Sequence, residues 1–242
     1  MQGKLLWRRL LSAELIAKEL RVFHSAGPCT VSVQWGTTID MFNRRTFLAG
    51  LAVTAVPLPR AEFPVHSCQA WDARPPGEGI EIVSRLPERI LVHHSTSPNL
   101  EDYSIARAYE HARWIQDLHM DQNGWPDSGQ HFSNSRGGFV VEGRHGSLTA
   151  LHHGDRTVVG AHCPGQNDCA IGIENEGLYV DVLPPQAQWD SLVAFCAHLC
   201  FRYGIPTSEI YGHRDFLVTQ CPGDALYAQL PRLRSEVTAQ FR

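Results

Sequence analysis

A few histidines and one cysteine have side chains that could bind a metal ion together. His93 and His94 end a short apolar segment, and His213 and Cys221 lie in the later segment GHRDFLVTQC. Two imidazoles and one thiolate suit zinc and leave a fourth tetrahedral position for water, as in catalytic zinc sites. Adjacent strand residues point to opposite faces, so only one of His93 and His94 can face a given site. Spacing leaves that choice open, and these residues could equally be packed in a core.

The composition of the chain excludes several other kinds of chemistry. Residues 1–61 carry eight Lys/Arg against three Asp/Glu, a net charge of +5, whereas residues 62–242 carry thirteen Arg against twenty-two Asp/Glu, a net charge of −9. An acidic body argues against nucleic-acid binding, which depends on attraction to phosphates. Lys4 and Lys18 are the only lysines of the 242 residues, so the remainder has no residue for a Schiff base or a P-loop. Twelve of the thirteen histidines follow residue 62, which favours a metal site.

Residues 41–61 have the pattern of an export signal. Arg44 and Arg45 precede a short apolar stretch with small residues and prolines, as in a twin-arginine signal, although a surface helix with two adjacent arginines is the alternative. We therefore expect export to the periplasm, cell wall or exterior. No apolar run reaches the roughly 18–20 residues that a membrane span requires. Residues 1–40 show no clear periodicity, and we expect them to be an upstream extension before a true start at Met41; a long charged leader is the alternative.

The elements that must position the candidate ligands lie in residues 62–242, which we expect to form one domain. Segment 90–94 is typical of a strand, and Ser104 can cap a helix that runs to about residue 120. A second helix is predicted over 187–203, and a last helical segment after Asp224. Short strands are predicted at 138–143, 148–151, 157–160 and 170–174. This alternation predicts an α/β fold, a mixed central sheet with helices packed on it.

Seven blocks of sequence, in the same order along the chain, resemble a known family. They are WDARPP at 71–76, LVHHST at 91–96, IQDLHMD at 115–121 with GW at 124–125, FVVEGR at 139–144, GAH at 160–162 with Asn167, AIGIE at 170–174, and GHRD at 212–215 with CPGD at 221–224. From about residue 65 onward the chain resembles the bacterial peptidoglycan recognition proteins of the zinc N-acetylmuramoyl-L-alanine amidase family. The resemblance implies a zinc enzyme that cleaves the amide between N-acetylmuramic acid and L-alanine.

The same resemblance assigns the metal ligands. It implies that Zn²⁺ is held by His93, His213 and Cys221. Family members that only bind peptidoglycan typically lack the thiol ligand, so Cys221 favours an enzyme. A peptidoglycan-binding module without catalysis is the alternative, and a purely structural zinc site is a weaker one.

The sequence departs from parts of the family at positions that assist the chemistry. Phage-type and animal members often have a tyrosine where Gln130 stands. Phage-type members have a lysine at the position of Thr219, and threonine there resembles the animal pattern. Glu174 matches the carboxylate that acts as the base in bacterial members. We therefore predict Glu174 as general base, with Gln130 or Thr219 donating to the oxyanion; Glu176 is a weaker candidate for the base. The structural alternative for Glu174 is a carboxylate bonded to nearby backbone or arginine.

Other residues are assigned to the substrate or to packing. Trp125, His162 and His94 are predicted to contact the peptidoglycan or muropeptide, although His162 could equally be a structural histidine. Cys163 and Cys169 bracket a five-residue loop and could form a disulfide after export. No nucleic acid and no stable membrane span are expected, and we expect a monomer.

Overall fold

The computed structural model describes residues 62–242 and contains a six-stranded mixed sheet with helices packed on it. The predictions for residues 1–40 and 41–61 lie outside the described residues. The strands are β1 (Val65–His66), β2 (Ile82–Val83), β3 (Arg89–His94), β4 (Phe132–Asn134), β5 (Val140–Glu142), β6 (Thr157–Val158), β7 (Ala170–Asn175) and β8 (Ile210–Gly212). The helices are α1 (Ile105–Asp117), α2 (Ser147–His153), α3 (Gln186–Tyr203), α4 (Asp224–Tyr227) and α5 (Leu230–Ala239). The predicted α/β class is confirmed.

The strand order of the main sheet is β1-β5-β4-β7-β3-β8, with β4 and β5 antiparallel and the other neighbours parallel. β2 and β6 form a separate antiparallel pair. β3 and β7 are the two long central strands, and all six residues of each are in register. Because side chains alternate along a strand, each central strand presents one set to each face of the sheet.

One face of the central strands forms the main core. Ile90 and Val92 of β3 and Ile173 of β7 belong to the same buried cluster as Phe195 and Leu199 of α3. The opposite face carries His93 and Glu174, which are paired residues of the two strands. The apolar core therefore fixes the strands that present the polar residues of the other face.

Helix α1 begins as its sequence predicts. The Ser104 hydroxyl accepts a hydrogen bond from the Arg107 backbone N–H at 3.2 Å, which satisfies a donor that would otherwise lack a partner at the helix start. The α-helix ends at Asp117 and continues as a π-helical turn over Leu118–Gln122. Helix α3 ends at Gly204, whose φ of +71° suits glycine.

The strand predicted at 148–151 is wrong, since these residues lie in helix α2. A four-residue apolar run does not distinguish strand from helix by its periodicity. Leu148 and Leu151 are three residues apart and so share a helix face, and alanine and leucine are good helix formers. Gly146 and Gly154, both with positive φ, bound the helix.

No helix within residues 62–242 is long and apolar enough to cross a membrane.

Candidate metal centre and its surroundings

The fold brings the three predicted metal ligands together. β8 pairs with β3 so that Gly212 lies beside Val92, and the chain that leaves β8 at His213 therefore comes next to His93. The candidate ligand atoms of His93, His213 and Cys221 all lie within 4.8 Å of one another. The His93 Nδ1 atom is 3.6 Å from the Cys221 sulfur, and the imidazoles of His93 and His213 are 4.5 Å apart between ring centres.

The chemistry of this set fits zinc. His213 Nε2 is buried and has no hydrogen-bond partner among the described residues, as expected of an atom that donates a lone pair to a metal. Burial lowers the pKa of His93 and brings that of His213 to about 4, so both imidazoles are neutral at pH 7. Neutral imidazoles and a thiolate are the protonation states that bind zinc.

The loop between His213 and Cys221 is closed by its own hydrogen bonds. The Arg214 backbone N–H donates to the Cys221 carbonyl at 3.1 Å, and the Arg214 guanidinium contacts Asp224 at 2.6 Å. Asp215 accepts from the Gly212 N–H at 2.8 Å and from the Tyr227 hydroxyl at 2.5 Å. These contacts hold both ends of the ligand loop against β8 and α4.

Glu174 lies on the metal-facing side of the sheet. It is the register partner of His93 on β3 and of Ser133 on β4, so the three side chains share one face. Its side chain is 5% exposed, and its Oε2 atom has no hydrogen-bond partner among residues 62–242. Burial raises the pKa of the Glu174 carboxyl to about 8. An unpartnered buried carboxyl group beside metal ligands is typical of a functional site.

Glu176 is held by structural contacts instead. Its carboxylate accepts from the Arg107 Nε at 2.9 Å and from the Arg136 backbone N–H at 3.1 Å. Both oxygens are thus occupied, one of them in a buried ion pair that joins α1 to the residue after β7. A carboxylate bonded to arginine and backbone was the structural alternative for Glu174. The structure shows these contacts at Glu176 instead.

The two predicted oxyanion donors lie in two separate loops. Thr219 precedes the ligand Cys221 by two residues, and its hydroxyl accepts from the Cys221 N–H at 3.1 Å. Gln130 is buried just before β4, where its carbonyl accepts from the Arg144 N–H at 3.0 Å. Their role in catalysis stays a prediction.

Trp125 is half-buried and packs against His119, with ring centres 4.7 Å apart. The backbone beneath it is glycine: a Cβ at Gly129 would lie 2.7 Å from the Trp125 ring. A flat, partly exposed indole in this position can stack on a ligand, which stays a prediction.

The structure directs the side chain of His94 away from the candidate metal ligands, although its backbone N–H contacts the Cys221 sulfur at 3.4 Å. The His94 side chain lies on the opposite face of β3 from His93, and its Nδ1 accepts from the Tyr179 backbone N–H at 3.3 Å. The His94 side chain is buried, and this hydrogen bond anchors the chain segment that follows β7. The choice between His93 and His94, which spacing left open, is thereby settled in favour of His93 as the residue that faces Cys221.

His162 is buried against His93, with its Nδ1 atom 3.1 Å from His93 Nε2. Asn175 was missed by the sequence reasoning: its side-chain amide donates to the His93 carbonyl at 2.9 Å. A polar residue at the end of an apolar strand is the signal that could have found it. Cys163 is a buried thiol, so the disulfide considered for it is absent.

Comparison with known proteins agrees with these observations. Residues 84–224 match the N-acetylmuramoyl-L-alanine amidase family. The chain is 31% identical over 161 residues to peptidoglycan-recognition protein LB of Drosophila melanogaster, covering 66% of this chain and 64% of that protein. It is 31% identical over 179 residues to N-acetylmuramoyl-L-alanine amidase of Sus scrofa, covering 72% of this chain and 28% of that protein. It therefore spans less than two thirds of the length of these curated relatives.

Solved structures give the same result. Wild-type Drosophila PGRP-LB superposes with a TM-score of 0.59 at 30% identity, covering 69% of this chain and 92% of that one. A variant of that protein in complex with tracheal cytotoxin superposes equally well. These relatives are animal proteins, so the bacterial branch expected from the sequence is not the one represented among them. The match over more than half of the sequence shows that this chain belongs to the N-acetylmuramoyl-L-alanine amidase family.

Proposed function

We propose that this protein is a zinc-dependent N-acetylmuramoyl-L-alanine amidase, which hydrolyses the amide between N-acetylmuramic acid and the first L-alanine of the stem peptide. The observation that carries the proposal is a largely buried His/His/Cys set beside the buried carboxyl group of Glu174, whose Oε2 has no hydrogen-bond partner within residues 62–242. The family match and the amidase among the relatives support the same reaction.

Different residues have different roles in the proposed hydrolysis. His93, His213 and Cys221 would hold zinc, which supplies Lewis acidity toward water and the scissile carbonyl. The Glu174 carboxylate accepts the proton of the attacking water and later delivers a proton to the leaving amine of L-alanine. The Thr219 hydroxyl and the Gln130 amide are neutral donors for the negative charge that develops on the carbonyl oxygen.

Product analysis of a defined muropeptide tests the proposal. Tracheal cytotoxin, which is bound in a solved complex of a relative, is a suitable substrate. We expect mass spectrometry to show release of a stem peptide that begins with L-alanine. Cys221→Ser should lose zinc and this release, whereas Cys200→Ser, which changes a buried thiol in the α3 core, should keep both. Full release by Cys221→Ser or by chelator-treated protein would contradict the proposal.

The second candidate is a module that binds peptidoglycan without cutting it. It is favoured by Gln130, which stands where animal relatives often have a tyrosine. Binding of tracheal cytotoxin by calorimetry, without release of the stem peptide in the presence of zinc, would favour the module over the enzyme.

We also propose that residues 41–61 direct twin-arginine export, on the evidence of Arg44-Arg45 and the short apolar stretch that follows. Replacing both arginines by lysine should retain the protein inside the cell in a fractionation experiment. Arg60→Lys, which changes an arginine outside the pair, should leave export intact. Export of the double variant at the normal level would overturn this proposal.

A further inference from the structure

His162 occupies a gap in the sheet beneath the candidate metal centre. Gly172 on β7 is the register partner of Leu91 and lies two residue pairs before the pair of His93 and Glu174, on the same face of the sheet. A Cβ at Gly172 would lie 2.7 Å from His162 Cγ, and a Cβ at Gly160 would lie 2.6 Å from His162 Cδ2. Neither position has room for a Cβ atom while the His162 ring stays in place. The imidazole is thus enclosed in a cradle formed by two glycines, directly below His93.

The hydrogen bonds of His162 have a defined direction. Its Nε2 atom is 3.4 Å from the Ala170 carbonyl oxygen, which can only accept, so Nε2 carries the proton. In an imidazole whose proton is on Nε2, the Nδ1 atom holds a lone pair. That lone pair faces His93 Nε2 at 3.1 Å. His93 must therefore donate from Nε2, which leaves the lone pair of its Nδ1 toward the Cys221 sulfur.

The neighbouring His131 does not compete for these atoms. Its Nε2 donates to the Val158 carbonyl at 2.7 Å, and its Nδ1 accepts from the Gly172 backbone N–H at 3.0 Å. Both ring nitrogens are thus engaged elsewhere. His131 meets His162 only edge to face, with ring centres 5.3 Å apart, and so supports the ring without changing its hydrogen bonds.

We propose that His162 is a positioning residue that fixes the tautomer and orientation of His93 for metal binding, through the chain Ala170 carbonyl, His162 and His93. This assignment rests on the zinc site of the proposed function and replaces the expected contact of His162 with substrate. Histidine ligands of metals generally donate their second N–H to such a partner, whose loss costs about 10–100-fold in metal affinity. Here the partner is a neutral imidazole, so the ligand is oriented without a further charge next to the unpartnered Glu174.

Two substitutions separate the hydrogen bond from the volume of the ring. In His162→Asn the side-chain oxygen can replace Nδ1 as the acceptor, whereas His162→Leu has no acceptor. We expect zinc affinity, measured on the full chain by competition with a chromophoric chelator, to fall about 10–100-fold in His162→Leu. His162→Asn should recover most of that loss. His119→Leu removes another buried histidine that contacts Gly129 and Trp125 but none of the three ligands, and should bind zinc normally.

A measurement on the wild-type chain keeps the proposal testable if His162→Leu does not fold. Long-range ¹H–¹⁵N spectra of the metal-free protein should show both His93 and His162 protonated at Nε2. His93 protonated at Nδ1, or zinc affinity of His162→Leu equal to that of the wild type, would overturn the proposal. Zinc binding without amide hydrolysis would overturn the amidase alone, whereas a wild-type chain that bound no zinc would overturn both.

Discussion

Among single residues, the contrast between Glu174 and Glu176 favours Glu174 as the proposed base. Both are buried carboxyl groups at the end of β7. Glu176 gives its oxygens to Arg107 and Arg136, whereas Glu174 Oε2 has no partner among the described residues. A carboxylate whose two oxygens already accept hydrogen bonds is held in place by them. Glu174, in contrast, is placed to exchange a proton.

The first prediction concerns this proton transfer. Glu174→Gln should lower kcat for muropeptide hydrolysis by about 10²–10⁴-fold, which is the usual contribution of general acid–base catalysis. Zinc content should stay unchanged, because Glu174 is not among the three ligands. Kinetics and metal analysis of the purified variant check both statements. Wild-type turnover in Glu174→Gln would assign the base to another group.

The pKa of Glu174 also affects stability. Burial raises it from 4.5 to about 8, so between these pH values the folded, metal-free chain binds a proton that the unfolded chain has lost. This contribution to stability is fully present below pH 4.5 and is lost as the pH rises through 8. The free energy of unfolding of the wild type relative to Glu174→Gln should therefore fall with rising pH. Denaturant titrations of both metal-free proteins measure it, and a constant difference would contradict the raised pKa.

At the scale of elements, the pairing of β3 with β7 builds the floor of the site. The register places Leu91 and Gly172 side by side, and His93 and Glu174 are the next pair on the same face of the sheet. Because Gly172 has no side chain, a residue from the loop before β7 can fill the space. The loop supplies His162, so the same glycine serves both the packing of the sheet and the position of a metal ligand.

Gly172→Ala tests this arrangement. The added Cβ would meet the His162 ring at 2.7 Å, and forcing extra volume into a packed interior typically costs about 1–3 kcal/mol. The loss, measured by denaturant unfolding, should be smaller when His162→Ala is present as well, because the ring that the Cβ meets is gone. Additive effects of the two substitutions would show that the residues do not interact.

At the scale of the whole molecule, the histidines make the fold sensitive to acid. His111, His119 and His131 are buried away from the three ligands, and burial lowers their pKa values to about 3, 4 and 4. Each is neutral in the folded chain at a pH at which the unfolded chain is already protonated. Their contribution to stability is therefore present above pH 6.5 and is lost as the pH falls toward 4.

The metal-free chain should accordingly unfold at lower denaturant concentration at pH 5 than at pH 7. In His111→Asn the decrease between these pH values should be smaller, because one of the groups that titrates on unfolding is removed. Denaturant titrations followed by circular dichroism measure the midpoints. Equal midpoints at pH 5 and pH 7 would show that these histidines do not control stability.

Residue types and their local order were enough to predict the fold class, one helix start and the candidate metal ligands. The α/β class followed from alternating strand and helix patterns and the start of α1 from Ser104, while seven blocks that resemble one family predicted the set of His93, His213 and Cys221 that the fold brings together. The helix at 148–151 was misread, because a short apolar run has no unique period.

The strand pairing seen in the folded chain was needed to learn which side chains face the candidate metal site and which residues they contact. The pairing of β3 with β7 and β8 turns His93 toward Cys221, and His94 toward Tyr179. It leaves Glu174 beside the ligands while Arg107 engages Glu176, and it places His162 over Gly172. The contacts of His93 with His162 and Cys221, and that of Arg107 with Glu176, join residues about 70 to 130 positions apart. No local pattern encodes which side chain will meet which, because that depends on how the strands pair across the sheet.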